Sequence, residues 1–161
     1  RAAVRTIYVK SGGKAGLLKA VLAARRERFF PVGKMDVDQR PLPGVIGDFA
    51  GYFYDMLCEP DAMALQRVVI AEAGSNPELA EAFYEAGPRA TREMLERYFA
   101  RPDIRAQLRP DVPVALLPSH LIACINGDPV MRFLFPQRQP SHEEARRLLA
   151  DRLELFYHSI L

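Results

Sequence analysis

Cysteine is scarce in this chain: Cys58 and Cys124 are the only two among 161 residues. Two cysteines so far apart exclude a disulfide scaffold and read as reduced thiols in a core. Long apolar runs are also missing, since none approaches the ~20 residues that cross a bilayer. The first residues lack the apolar centre of a signal peptide, so the expected location is cytoplasmic. Catalytic and metal-binding patterns are lacking as well. His120, His142 and His158 are isolated, with no HExxH pair, no CxxC, no GxSxG and no glycine-rich phosphate loop. Glu143-Glu144 suits a helix cap, and Glu72 a solvated face. The expectation is a protein that is not an enzyme, with no metal and no cofactor. Strand-like alternation, internal repeats and low-complexity tracts are absent too, which leaves an all-α fold.

What is present is an ordinary globular composition, 49% hydrophobic and 26% charged, with formal net charge +2. The charge is unevenly spread. Residues 1–30 hold eight Lys or Arg against Glu27 alone, whereas the other 131 residues hold fourteen cations and nineteen anions. A basic end on an acidic body suggests polyanion contact confined to that end.

Taken in order, the residues from Ala3 suit a short helix, at about 3–11, stopped by Gly12-Gly13. A second helix is expected over about 14–30. Leu17, Leu18, Val21, Leu22 and Phe29 form its apolar stripe, and Arg25, Arg26 and Arg28 cluster towards its end. Pro31, Gly33, Pro41, Pro43 and Gly44 punctuate a linker over 31–44. The body then reads as successive helices. Val45, Ile46, Phe49, Phe53, Met56 and Leu57 stripe one that ends before Pro60. Leu65, Val68, Val69 and Ala73 stripe the next. Asn76-Pro77 is an N-cap with an N1 proline, and Gly87-Pro88 breaks the helix that it opens. Residues 101–112 read as a loop or a turn of helix, 113–125 as helix stopped at Gly127-Asp128-Pro129, and 130–135 as a short apolar piece. Ser141-His142-Glu143-Glu144 is a capping box opening a last helix, striped by Ala145, Leu149, Leu153, Phe156 and Ile160.

Thr6-Ile7-Tyr8, Lys14 and Leu17, with Ala3 at a small N-cap position, resemble the end of the DNA-binding domain of tetracycline-repressor-like (TetR family) regulators. Ser11 stands where that pattern has Phe, and Gly13 where it has Ser. Residues 67–73, Asn76-Pro77-Glu78-Leu79 and 83–88 resemble a stretch common in the family's regulatory domain. The resemblance implies that residues 1–30 are the C-terminal part of a helix-turn-helix DNA-binding domain. It further implies a helical ligand-binding and dimerisation domain over 31–161. Two helices that precede the recognition helix in the family would lie ahead of Arg1, and without them the helix-turn-helix is incomplete.

The same resemblance supplies the expected sites. Val4, Arg5, Thr6, Tyr8, Lys10 and Lys14 would contact double-stranded operator DNA. Arg5 is the candidate for reading base edges, and Thr6, Tyr8 and Lys14 the candidates for holding phosphates. Phe53, Met56, Met94, His120 and Cys124 are candidates for a pocket holding a small hydrophobic effector, with Phe49, Met63 and Phe83 as further helical lining or plain core. Leu117, Leu121, Leu149, Leu153 and Phe156 would serve a homodimer interface or, equally, an intramolecular core. The expected function is a ligand-responsive regulator, a repressor released from a palindromic operator. The alternative is a helical ligand-binding or dimerisation module without DNA binding.

Overall fold

The computed structural model of the chain describes residues 13–29 and 33–161. The helix expected at about 3–11, with Val4, Arg5, Thr6, Tyr8 and Lys10, lies outside the described residues. Among the described residues the secondary structure is helical throughout, with no strand. The helices are α1 (Gly13–Phe29), α2 (Lys34–Val37), α3 (Leu42–Cys58), α4 (Pro60–Glu72), α5 (Pro77–Ala86), α6 (Pro88–Ala100), α7 (Pro102–Arg105), α8 (Leu117–Asn126), α9 (Pro129–Leu134) and α10 (His142–Ile160). Two 3₁₀ turns, Val114–Leu116 and Pro136–Arg138, precede α8 and follow α9.

The helix boundaries follow local chemistry. Asn76 caps α5 by accepting a hydrogen bond from the Leu79 amide at 3.2 Å, and Pro77 takes the first position, where no amide donor is needed. Ser141 caps α10 in the same way, accepting from the Glu144 amide at 3.2 Å. Gly127 ends α8 with φ 65°, in the region open mainly to glycine. A Cβ there would also lie 3.2 Å from Cζ of Arg152.

Two expectations are corrected. The linker over 31–44 contains α2, and α3 already begins at Leu42; Pro43 and Gly44 sit in its first turn, where proline costs no internal hydrogen bond. Of the two forms expected for residues 101–112, a turn of helix is present, as α7. Finally, Val114–Leu134 reaches a mean hydropathy of 1.2 over membrane-spanning length, longer than any apolar run expected. It is nonetheless a 3₁₀ turn, α8 and α9 in succession, interrupted at Gly127.

The described chain forms two compact units, the first comprising residues 13–29 and 56–93, the second 33–55 and 94–161. The division falls within α3 after Asp55 and within α6 after Glu93. In the first unit α1 packs on α5, and α5 on α4. Arg25 of α1 forms ion pairs with Glu59 and Asp61, at 3.8 and 3.6 Å, at the start of α4. Carboxylates there also complement the positive end of that helix.

The second unit is built on α8 against α10. Ala145, Leu149, Leu153, Phe156 and Ile160 form the buried stripe of α10, and Leu117, Leu121 and Ile125 that of α8. Arg152 joins the two helices: its Nε donates to the Cys124 carbonyl at 2.7 Å and its Nη2 to that of Ile125 at 3.3 Å. These are carbonyls that the end of a helix leaves without internal partners. The entering segment is held at two points. Arg101 donates to the Met35 carbonyl at 2.6 Å, and the Leu42 amide donates to Gln107 Oε1 at 3.1 Å. Tyr157 donates its hydroxyl to the Pro43 carbonyl at 3.1 Å, and burial raises its pKa.

Candidate functional site

A concavity lies in the second unit, where the loop 109–113, the N-terminal turn of α8 and the C-terminal turn of α10 meet. Its volume is about 470 Å³, within the range of small-molecule sites. The Arg109 amide donates to the Ile160 carbonyl at 2.9 Å, which fastens the loop to the end of α10 and makes one wall. Val112, Leu116, Leu117 and Ile160 give the groove its apolar surface, and Arg109, His120 and Ser159 bring polar groups to it.

Most of those polar groups are already engaged. Arg109 Nη2 pairs with Asp111 at 2.9 Å, and the hydrogen bond holds the Asp111 carboxyl below the usual carboxylate range. Ser159 Oγ donates to the Phe156 carbonyl at 2.7 Å. His120 is exposed, its ring 5.7 Å from that of Phe156. The groove therefore offers an apolar floor with a cation and an imidazole at its rim. It suits a mostly apolar ligand with few polar groups. No cluster of metal-ligating side chains occurs among the described residues.

Of the expected pocket residues, His120 lines this groove. Phe53, Met94 and Cys124 are half-buried in the same unit but do not line it, and Met56 belongs to the other unit. Phe53 stacks on Phe49 with centroids 5.4 Å apart. Cys124 Sγ donates to the Arg152 carbonyl at 3.2 Å, and burial raises its pKa, so the thiol is a packing group rather than a nucleophile. Arg109, Val112 and Ser159 were missed. They come from a loop and a helix end, where no periodicity marks a lining residue.

The expected interface residues need a correction. Leu117, Leu121, Leu149, Leu153 and Phe156 are at most 6% exposed within a single chain. They are the chain's own core and present no surface to a second copy. A charge at Leu153 would therefore disrupt the chain's own core. Exposed apolar residues beside them are Leu116 before α8 and Leu155 on α10, at 60% and 73%. Of the expected DNA contacts, Lys14 falls in the first turn of α1, with its side chain outside the described residues.

Neither a curated protein nor a solved structure matches the chain. A family model does: residues 45–159 match the C-terminal domain of AefR-like transcriptional repressors. That span takes in α4 to α9 entire, nearly all of α3 and α10, and most of the groove's walls. With most of the chain inside it, the protein belongs to the TetR family of regulators and carries an AefR-like repressor C-terminal domain.

Proposed function

We propose that the protein is a ligand-responsive transcriptional regulator, a repressor that leaves a palindromic operator when a small, mostly apolar effector binds. The observation that carries this reading is the family match over 45–159; the basic charge of residues 1–30 agrees with it. Operator contact falls to Val4, Arg5, Thr6, Tyr8, Lys10 and Lys14, with Arg5 reading base edges and Thr6, Tyr8 and Lys14 holding phosphates. The effector occupies the groove at His120. Its binding favours an arrangement in which α1 is displaced, and half-site fit on DNA is lost in proportion to the difference in affinity between the two arrangements.

The functional unit in this reading is a homodimer joined through the outward faces of α8 and α10. The test is fluorescence anisotropy of the protein on DNA flanking its own gene. Binding should weaken steeply with salt, because phosphate contacts release counterions; no salt-dependent binding to any such fragment would sink the proposal. For the dimer, Leu155→Glu should halve the mass seen by light scattering while the helical circular dichroism signal is retained. An unchanged mass would remove Leu155 from the interface.

A further inference from the structure

A second pocket in the second unit has a different chemistry. It lies where the end of α8, α9 and the turn after it fold against α3 and α10, and encloses about 180 Å³. Three guanidinium groups line it, from Arg132, Arg138 and Arg152. Arg132 is only 7% exposed. It donates to the Asn126 side-chain oxygen at 3.2 Å and to the Asn126 carbonyl, and lies 5.7 Å from the centre of the Tyr54 ring. Arg138 lies against the Phe135 ring. Arg152 faces the Cys124 and Ile125 carbonyls. None of the three has an ion-pair partner among the described residues, although Arg25, Arg40, Arg89, Arg101, Arg109, Arg146 and Arg147 all do.

Asp128 is the one carboxylate on the wall, and its Oδ1 is committed to capping α9 through the Met131 amide at 3.0 Å. One carboxylate against three guanidinium groups leaves the wall net positive, and a buried guanidinium without a paired counter-charge is costly. The two bonds to Asn126 are neutral and occupy two of the five N–H donors of a guanidinium, so Arg132 keeps both its charge and donors for a ligand. We propose that this pocket is a binding site for a small oxyanion, the carboxylate of a compact organic acid or a phosphate, gripped by Arg132 and Arg138. Planar guanidinium forks match both groups in geometry. The volume is below that of ordinary drug-sized sites, which limits the ligand to about the size of benzoate. Tyr54, Met131 and Leu148 supply the apolar part of the wall for its ring.

The site rests on no part of the regulator reading, and its test uses no DNA. Isothermal titration calorimetry of the whole protein at low ionic strength, with sodium benzoate and with inorganic phosphate as separate probes, should show one site per chain for at least one of them. Uncharged benzamide should give no heat. Arg138→Gln, an exposed position, should weaken binding about tenfold, the usual effect of one lost charged hydrogen bond. Arg147→Gln, which removes the same charge from α10 outside the pocket, should leave it unchanged. Benzoate binding without phosphate binding assigns the site to organic acids, and the reverse to phosphate. Heat from neither ion, equal binding by benzamide, or equal losses in the two variants would overturn the proposal.

Discussion

The two compact units are filled in different ways. Among the described residues, every one of the largest fully buried side chains, Tyr98, Phe49, Phe99, Phe156, Met35, Leu42, Ile46, Leu95, Ile104, Leu121 and Ile125, belongs to the second unit. The first unit buries Leu18, Ala62, Val69, Ala82 and Thr91 among its described residues, mostly small side chains. It leaves Val21, Val68, Ile70 and Tyr84 more than 40% exposed. Hydrophobic stabilisation grows with the apolar area removed from water, so the second unit is the anchored body and the first is the one that opens locally at lower free energy. That distribution would suit the proposed regulation, in which the displaced helix, α1, belongs to the first unit.

The contrast breaks or holds on a graded series of variants. Phe156→Ala, in the second core, should cost about 3–5 kcal/mol in urea unfolding. Val69→Ala in the first unit should cost about 1–2 kcal/mol, with faster amide exchange confined to α1, α4 and α5. Equal losses for the two would erase the distinction. Gly127→Ala should be of similar size, at about 1–2 kcal/mol for the strained backbone, and an unchanged unfolding midpoint would show that the turn at the end of α8 relaxes freely. Asn76→Ala removes the α5 cap, for about 1 kcal/mol; hydrogen exchange should show it as fraying of α5 alone, and a matching change in α10 would contradict independent units. Smallest is Tyr98→Phe. The Tyr98 hydroxyl is buried with no hydrogen-bond partner among the described residues, and burial pushes its pKa up to about 12. Its removal should leave stability within about 0.5 kcal/mol or raise it, and a large loss would reveal a partner for that oxygen.

Much of the second unit was legible in the sequence because one helical period governed it. The α10 stripe from Ala145 to Ile160 is buried in full, and the cap at Ser141 stands where its residue type places it. The first unit was harder, although its cap at Asn76 was equally plain. Leu65, Val68, Val69 and Ala73 follow an apolar pattern, yet Val68 is 47% exposed and Val69 is 8%, because apolar spacing does not say how much partner surface a helix will meet. The interface failed for a related reason. A leucine stripe serves an internal partner as well as an external one, and in α8 and α10 the internal partner took it. The arginine pocket left no trace in the sequence, since Arg132, Arg138 and Arg152 converge only through the stretch 135–141 that connects α9 to α10.

The two fastenings at the entrance to the second unit, Arg101 on the Met35 carbonyl and Gln107 on the Leu42 amide, also bear on how the protein tolerates cleavage. They span the exposed turn at Gln39 and Arg40, a polar surface stretch of the kind that proteases nick. A nicked chain would keep both new ends pinned to the same short stretch, residues 101–107. The pieces would stay together until denatured, and a split protein could be rebuilt there from its two parts.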